Sequence, residues 1–462
     1  MGRVSVRGLA TVLLVVFVAC SCFATCGATR DLPTWLAGRR GSGGSGRPAP
    51  KPKPSSGPSP SPRSSPPAPQ GGGAFSVLDY GAKGDGVTDD TKAFQAAWAA
   101  ACEGSPSKVL VPADSDFLVA PISFSGPCKS NIVFQLDGKI IAPTGGKAWG
   151  SGLLQWLEFR LLKGIIIQGQ GIIEGQGNAW WSRDDPIWTS RRRMTSCLVY
   201  QAVRFYGSSD VTVTGITIQN SPQCHLKFDS SHAIEVFGVT VSSPGDSPNT
   251  DGIHLQNSVG VSIHDTNLGC GDDCISVQTG CSNIMVKNVN CGPGHGISIG
   301  GLGKDNTQAS VSNVTVQNAN MVGTMTGVRI KTWQVIHISS VLEGGSGYVK
   351  NIRFSKIKLS QVATPIVIDQ FYCDQSKCRN QTSAVALSDI TYDGVEGTYT
   401  VQPVYFACSD TEPCRSIHLD GIQLELLKQR GPTLDPFCWQ AYGDLQGPTE
   451  PPITCLQNGN SK

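Results

Sequence analysis

A short phrase of alternating apolar residues recurs along the chain and limits what the chain can fold into. It runs apolar, any, apolar, any, usually Gly, Asn or Asp, then apolar again, and it is clearest at Val211, Ile234 and Ile417. The closest copies begin 23 to 27 residues apart. A period in this range predicts a solenoid or a repeat array. The copies begin at Ile132, Ile165, Val211, Ile234, Val261, Ile284, Val314, Ile352, Ile390 and Ile417.

The make-up of the repeat favours strands over helices. Period-two alternation with Gly and Asn at the corners is typical of short strands joined by tight turns, and the 54 glycines of the chain agree with this. We therefore predict an all-β protein, a parallel β-helix spanning residues 74–462. A β-sandwich is the alternative, but the Asn-Gly and Asp-Gly pairs do not lie between close strand pairs as hairpins would require.

The segment before the first repeats predicts a cap. Phe75–Tyr80 is expected to form a strand, and residues 81–86 a turn. Asp89 or Asp90 then begins a short amphipathic helix that runs to about Ala101. Because the end coil of a solenoid cannot bury its own apolar face, this helix is expected to cover it.

Residues 1–28 have the features of a secretory signal peptide. A basic start precedes an apolar run of twelve residues, Leu9–Cys20, and small residues follow. The alternative is a membrane anchor, but a spanning helix needs ~20 apolar residues. We expect a secreted protein of the extracellular space or cell wall, without a membrane partner once the signal is cleaved.

Residues 29–73 are rich in Pro, Gly and Ser and predict a disordered linker. Between residues 40 and 73 all of the charges are basic. A spacer is the preferred interpretation, and an arm that touches an acidic wall polysaccharide is the alternative.

Fourteen cysteines lie between Cys102 and Cys455, and export into an oxidising compartment predicts up to seven disulfides. Two glycosylation sequons, at Asn313 and Asn380, fit an extracellular surface. The expected disulfide pairs are Cys102–Cys128, Cys274–Cys291, Cys373–Cys378, Cys438–Cys455 and Cys270–Cys281.

Four candidate catalytic residues are spaced at about one repeat. Asp251 precedes Asp272 and Asp273 by 21 and 22 positions, and His295 follows Asp273 by another 22. Equivalent positions of adjacent coils stack about 4.8 Å apart, so these side chains should share one face. A bend or bulge would be needed to turn both members of the Asp-Asp pair to the same groove.

Clustered carboxyls suit acid/base hydrolysis of a glycosidic bond, which needs one protonated and one ionised carboxyl. Crowding should raise the pKa of one of them, and His295 could tune that proton. Arg329 and Lys331 lie two apart, so on a strand they point to one side and could bind a sugar carboxylate. A calcium site, as in a lyase, is the alternative, but a histidine among the carboxylates fits acid/base work better. The other histidines are interpreted as surface or core residues: His225, His232, His254, His264, His337 and His418.

Four motifs carry a family resemblance: Asn-Thr-Asp from Asn249, Gly-Asp-Asp from Gly271, Gly-His-Gly from Gly294 and Arg-Ile-Lys from Arg329. Together with the segments from Gly84 and Gly169, they resemble the plant polygalacturonases of glycoside hydrolase family 28, from about residue 75 onward. The resemblance implies a right-handed parallel β-helix and hydrolysis of α-1,4-galacturonan with inversion.

The resemblance also implies roles for single residues. Asp272 matches the general acid, Asp251 and Asp273 match the pair that activates water, and His295 matches the histidine that supports the acid. The substrate-binding matches are Asn249, Arg329, Lys331 and Tyr372.

We therefore expect a secreted hydrolase of pectin homogalacturonan that acts in cell-wall modification as a monomer. No cofactor, metal or nucleic-acid partner is expected. The alternatives are a rhamnogalacturonan hydrolase, a calcium-dependent lyase and a non-catalytic pectin-binding wall protein.

Overall fold

The computed structural model describes residues 73–144, 148–149, 155–181, 201–304, 307–333, 345–372, 384–427 and 433–459. The predicted signal peptide and nearly all of the predicted linker lie outside these residues. None of the described helices is long and apolar enough to cross a membrane.

Strands dominate the described chain. The two helices are α1 (Thr91–Glu103) and α2 (Asn178–Trp181), and a 3₁₀ turn covers Val77–Tyr80. The strands are β1 (Gly73–Ser76), β2 (Asp85–Asp89), β3 (Ser107–Val111), β4 (Asp116–Leu118), β5 (Ile122–Ser125), β6 (Ile132–Leu136), β7 (Lys139–Ile141), β8 (Gln155–Arg160), β9 (Lys163–Gln168), β10 (Ile172–Glu174), β11 (Gln201–Tyr206), β12 (Ser209–Thr214), β13 (Thr217–Gln219), β14 (Leu226–Asp229), β15 (His232–Phe237), β16 (Thr240–Ser242), β17 (Ile253–Gln256), β18 (Val259–Gly269), β19 (Ile275–Val277), β20 (Cys281–Cys291), β21 (Ile297–Leu302), β22 (Gln308–Val322), β23 (Thr326–Trp333), β24 (Ser346–Val362), β25 (Thr364–Tyr372), β26 (Ala384–Tyr399), β27 (Val404–Ala407), β28 (Cys414–Leu426), β29 (Phe437–Trp439), β30 (Ala441–Gln446) and β31 (Gln457–Asn458).

The strands pair in parallel and form a β-helix. One sheet, here called the site sheet, contains 11 strands in the order β5, β8, β11, β14, β17, β19, β21, β23, β25, β27 and β29. The other 20 described strands form the second sheet, which bends around the remaining faces of the coil. The coils wind in the right-handed sense expected of parallel crossovers. The predicted parallel β-helix is confirmed, and the β-sandwich alternative is excluded.

Stacked aromatic rings line the inside of the first coils. Phe159 and Phe205 stack with ring centroids 5.1 Å apart, and Phe205 and Phe228 with centroids 5.0 Å apart. Phe124 continues the stack below Phe159 at 4.9 Å. All four rings are buried, because alternate residues of each strand point inward and the register places equivalent residues on top of one another.

The Gly, Asn or Asp of the repeat phrase forms the corner of each coil. Gly215, Gly238 and Asp265 have φ values of 76°, 62° and 53°, and Asn288 and Asn318 continue the row at 55° each. The left-handed conformation costs most residues about 1–2 kcal/mol, which explains why the repeat favours Gly, Asn and Asp here. The corner is therefore the local reason for the sequence pattern.

Asparagine ladders join the outer edges of the coils. Asn313 Nδ2 donates to Asn283 Oδ1 at 3.0 Å, and Asn351 Nδ2 donates to Asn313 Oδ1 at 2.7 Å. Asn313, a predicted glycosylation site, is exposed, whereas the sequon at Asn380 lies outside the described residues.

The N-terminal helix covers the first coil, as predicted. Phe94 packs edge-on against Phe117 with centroids 5.6 Å apart, and Trp98 lies 5.2 Å from Phe124. The helix runs two residues past the predicted end. The strand predicted at 75–80 is wrong from Val77 onward, where the chain forms a 3₁₀ turn closed by Gly81 in the left-handed conformation.

The start of α1 is held by two aspartates with different tasks. Asp90 occupies the N-cap position, but its carboxylate accepts from the backbone N–H groups of Lys83 and Gly84 at 2.7 and 3.1 Å. Asp89 accepts from the backbone N–H of Thr91 at 3.0 Å. The preceding loop is thereby tied to the helix start.

The disulfide predictions are confirmed in part. The structure adds Cys408–Cys414, which was not predicted, and the pair Cys373–Cys378 lies outside the described residues. The predicted disulfides that are present are Cys102–Cys128, Cys274–Cys291 and Cys438–Cys455.

The predicted bridge between Cys270 and Cys281 is wrong, since both are free buried thiols. Cys270 precedes the site-sheet strand Ile275–Val277 and Cys281 follows it. The strand between them keeps the two thiols at its opposite ends. Cys224 is a third buried free thiol, so seven disulfides cannot form.

We expect Phe205→Ala to lower the free energy of unfolding by about 3–5 kcal/mol, because it opens a cavity between two stacked rings. Urea or thermal unfolding would measure the loss. The matched control is Met285→Ala, which truncates a side chain that is 42 % exposed and should cost little. Equal losses in the two variants would contradict a stabilising role for the stack.

Candidate active site

Coil register brings the predicted carboxylates and the histidine together at one end of the site sheet. Ile253, Ile275 and Ile297 are register partners in successive strands, each 22 residues after the last. Asp251, Asp273 and His295 keep the same spacing two positions before them. The backbone N–H of Gly252 accordingly donates to the Asp273 carbonyl at 2.9 Å.

A bend before β19 turns both aspartates of the Gly-Asp-Asp motif toward the cleft. Asp272 Oδ1 accepts from the backbone N–H of Asp273 at 2.9 Å. Gly271 is required here, because a Cβ at this position would lie 1.9 Å from the Ser247 carbonyl oxygen. The disulfide Cys274–Cys291 follows immediately and anchors the bend to the neighbouring strand.

Asp273 is the most enclosed of the three carboxylates. Its Oδ1 accepts from Arg329 Nη2 and Ser298 Oγ, each at 2.7 Å, and its Oδ2 from Lys331 Nζ at 2.9 Å. Burial alone would raise the pKa of Asp273, but Lys331, Arg329 and His295 outweigh it and hold that pKa well below its usual range. Asp273 is therefore an ionised anchor, and the two predicted substrate-binding cations are engaged with it.

Asp272 faces the predicted histidine. His295 Nδ1 lies 3.0 Å from Asp272 Oδ1, and the His295 backbone N–H donates to the Asp272 carbonyl at 2.7 Å. The Thr326 hydroxyl, which belongs to the next coil, donates to the His295 carbonyl. This hydrogen bond ties the backbone at His295 to that coil. The carboxyl of Asp272 and the imidazole of His295 are therefore in direct hydrogen-bond contact.

The surroundings of Asp251 shift its pKa in the direction opposite to that of Asp273. Burial, followed by the negative charges of Asp272 and Asp273, raises the pKa of Asp251 well above its usual range. Its Oδ2 lies 3.2 Å from His254 Nδ1. The cluster thus contains one carboxyl kept ionised and another that favours its protonated form, which is the division that acid/base chemistry needs.

His254 is a site residue that the sequence analysis missed. It had been interpreted as a surface or core residue, but it lines the cleft beside Asp251. Burial, then the charge of Lys227, lowers its pKa well below the usual value, so the imidazole is neutral. Strand alternation gives a signal, since His254 is one residue after the inward-facing Ile253 and must point outward.

The remaining predicted residues shape the cleft. Asn249 lines it with a left-handed φ of 55°, and its buried Oδ1 has no hydrogen-bond partner among the described residues. Tyr372 lies under Lys331, with Nζ 5.2 Å from the ring centroid. Trp333 meets Tyr372 edge-on at 4.9 Å, and Lys304 Nζ lies 4.4 Å from the Trp333 ring. The cleft holds about 600 Å³ of space, including solvent at its open side.

The cluster also has the spacing of a metal site. The ligand atoms of Asp272, Asp273 and His295 all lie within 4.8 Å of one another. However, both oxygens of Asp273 already contact cationic side chains. Because these cations would repel a divalent ion, the arrangement suits proton transfer better than an oxygen cage for calcium.

Comparison with known proteins identifies the class. Residues 102–432 match the family described as Glycosyl hydrolases family 28, and residues 74–119 match Rhamnogalacturonase A/epimerase, pectate lyase-like. The chain therefore belongs to glycosyl hydrolase family 28.

Individual known proteins are similar to this chain over most of its length. A probable polygalacturonase of Arabidopsis thaliana is 41% identical over 83% of this chain and 84% of its own length. A polygalacturonase of Cryptomeria japonica is 39% identical over 76% of this chain and 67% of its own. The crystal structure of an endo-xylogalacturonan hydrolase from Aspergillus tubingensis covers 78% of this chain and 95% of its own, with a TM-score of 0.66 at 21% identity, a likeness of fold.

We expect Asp251→Asn to stabilise the protein at neutral pH and not at low pH. Because the pKa of Asp251 is raised on folding, the folded state binds more protons above the ordinary Asp pKa of about 3.9, and its stability falls as pH rises through that window. The substitution removes this loss. Its Tm should exceed the parent's by roughly 1 °C at pH 7, the shift given by about 1 kcal/mol in a domain of nearly 400 residues at about 2.1 cal/mol/K of unfolding entropy per residue.

Thermal unfolding between pH 3.5 and 7 would measure this dependence. Asp210→Asn is the matched control for the change from carboxyl to amide, since Asp210 is exposed on the second sheet and lies outside the carboxyl cluster. A pH-independent difference for Asp251→Asn would contradict the raised pKa.

Proposed function

We propose that the protein hydrolyses α-1,4-galacturonosyl linkages of pectin homogalacturonan with inversion. The observation that carries the proposal is the trio Asp251, Asp272 and Asp273, which lines a cleft that also contains Lys227, Lys304 and Lys331. Three carboxyls provide the acid and the base, and lysines along the cleft suit a polymer with a carboxylate on every sugar. The polygalacturonases among its relatives support the same substrate.

The proposed roles follow from the charge distribution and from the family resemblance. Asp273 stays ionised, and in the free protein the raised pKa of Asp251 favours a proton on that carboxyl. The family resemblance assigns the acid to Asp272, so the proposed productive complex has the proton on Asp272, which donates it to the glycosidic oxygen. Asp251, ionised, takes a proton from water with help from Asp273, and the water attacks the anomeric carbon. The proton that Asp251 gained from water is then released, and Asp272 takes up one proton through its contact with His295, so the cluster returns to its starting form.

The proposal of inversion rests on the family resemblance and not on the distance between the acid and base carboxyls. Inverting enzymes usually hold their acid and base carboxyls about 6.5–9.5 Å apart. Asp272 and Asp273 have ligand atoms within 4.8 Å of each other. In the proposed mechanism the water therefore lies nearer to Asp251 and is not enclosed between Asp272 and Asp273.

Substrate binding is proposed for the remaining site residues. Asn249 offers an unpaired amide oxygen to a sugar hydroxyl. Tyr372 and Trp333 provide ring surface at the C-terminal end of the cleft. Arg329 and Lys331 hold Asp273 in the free protein, and Lys331, which lines the cleft, can also reach a sugar carboxylate.

We propose further that the enzyme is secreted and acts on the cell wall as a monomer. The apolar run near the N-terminus and the disulfides of the described chain support export into an oxidising compartment.

Asp272→Asn should reduce hydrolysis of de-esterified galacturonan by about 10²–10⁴-fold, the usual contribution of a general acid. Reducing-end release at about pH 5 with a chelator present measures the loss. Asp210→Asn, an exposed substitution of the same kind, should retain the parent rate.

Other outcomes would select the alternatives. Loss of parent activity to the chelator, with unsaturated products, would indicate a lyase. Activity on a rhamnose-containing polymer alone would change the substrate, and binding without reducing ends would indicate a wall-binding protein. Full activity of Asp272→Asn would contradict its role as the acid.

The first product of cleavage should carry the β-anomeric configuration, since attack by water opposite the leaving group inverts the α-linkage. Proton NMR during the first minutes, before mutarotation, measures the anomer. An α-product would contradict inversion and would make one aspartate a nucleophile.

A further inference from the structure

We propose that Lys227 binds a sugar carboxylate of the substrate on the N-terminal side of the catalytic trio and so selects unesterified galacturonate there. This inference rests on the proposed function and names a specificity residue for it. None of the sequence motifs that carry the family resemblance includes Lys227. The contacts around its side chain, and its place in the coil register, carry the argument.

Lys227 lies in line with the reactive centre along the axis of the β-helix. It is the register partner of His254, which in turn pairs with Ser276. The same row continues through Ser298 to Arg329. Four strand steps of about 4.8 Å place Lys227 roughly 19 Å from Arg329 along the axis. The coils that carry the catalytic trio lie between these two cations.

The Lys227 side chain is buried but not neutralised. The residue is 8 % exposed and lines the cleft. Within the described chain no carboxylate oxygen lies within 4 Å of its Nζ, and the ammonium makes no hydrogen bond there. Asp229, on the same strand, instead binds Arg204 at 2.6 Å, and Arg204 also contacts Glu158 at 3.4 Å. Lys227 is therefore the uncommitted cation of this group.

An uncommitted ammonium at such a depth is costly. Burial lowers the pKa of Lys227, and Arg204 lowers it further against the opposing pull of Asp229. Buried charges in proteins are normally paired or bind a ligand, because removal from water without a partner is unfavourable. A carboxylate that enters from the cleft would supply the missing partner, and galacturonan carries one on each sugar.

The neighbouring His254 completes the polar surface. Its Nε2 is buried and lacks a hydrogen-bond partner among the described residues, while Nδ1 faces Asp251. Because the imidazole is neutral, it adds no second charge but offers one hydrogen bond. An ammonium beside a neutral donor or acceptor matches a uronate sugar, with its carboxylate and adjacent hydroxyl.

A methyl ester would remove the charge that Lys227 needs. The ion pair would become a hydrogen bond from the ammonium to an uncharged ester carbonyl, which loses the attraction between two opposite charges. The enzyme should therefore discriminate against an esterified sugar at this subsite, and that discrimination should depend on Lys227.

The test compares Lys227→Met with the parent on de-esterified and on highly methyl-esterified galacturonan. For the de-esterified polymer KM should rise about tenfold while kcat stays within about twofold, since the contact is made equally in the ground state and the transition state. The preference for the de-esterified polymer should fall by a similar factor. Lys227→Arg should retain most of it, and Lys287→Met, which removes an exposed lysine on the second sheet, should change neither value.

A purely structural role predicts a different result. Lys227→Met would then lower Tm and reduce activity on both polymers by the same factor. Met has a similar length, and loss of an unpaired buried charge should leave Tm unchanged or higher. Equal loss on both polymers, or unchanged KM on the de-esterified one, would overturn the proposal.

A binding experiment separates this proposal from the proposed function. Calorimetric titration of a de-esterified oligogalacturonate into Asp272→Asn and into Asp272→Asn/Lys227→Met needs no turnover. Weaker binding by the double variant supports the subsite even if the parent enzyme proves inactive on galacturonan. Equal binding overturns the subsite even if the parent hydrolyses the polymer, and no binding to either protein overturns it as well.

Discussion

The parallel register of the coils is the constraint on which the rest of the molecule depends. Each strand of the site sheet hydrogen-bonds to the equivalent strand of the next coil, so residues 22 positions apart become neighbours near the reactive centre. The same stacking builds the phenylalanine column inside and the asparagine ladders outside. A single geometric rule thus supplies the core, the surface and the alignment of the carboxylates for which catalytic roles are proposed.

The stability of the site depends on how the charges of its three carboxyls are neutralised. Three carboxyls close together are unfavourable unless some are neutralised. Arg329 and Lys331 neutralise Asp273, and the proton retained by Asp251 relieves the remaining repulsion. The cluster therefore combines an ionised carboxyl at Asp273 with a carboxyl at Asp251 that favours its protonated form. Lys227 adds a cation two coils away from Asp273 that the free protein leaves unpaired, in the place where a polyanionic substrate would supply the partner.

Much of the fold and of the candidate site could be predicted from local sequence. The repeat phrase indicated the β-helix because inward apolar residues and left-handed corners impose the same residue types in every coil. The spacing of Asp251, Asp272, Asp273 and His295 indicated a shared face for the same reason. The sequence analysis missed features that depend on the path of the chain in three dimensions: the disulfide Cys408–Cys414, the free thiols Cys270 and Cys281, and the place of His254 beside Asp251. Cysteine spacing does not determine which thiols meet, because loop paths bring them together. Strand alternation does predict that His254 points outward, but not that it borders the cleft.

The sequence by itself determined the architecture and the residues available for chemistry, since periodicity, corner residues and motif spacing are properties of the chain. Only the tertiary structure decided how those residues are charged and paired. Two aspartates adjacent in the sequence turn to the same cleft because of a bend at Gly271, and two cations expected to bind substrate contact Asp273 instead. The physical reason is that the pKa of a carboxyl depends on its burial and on the charges within a few ångströms, which stacking in space creates.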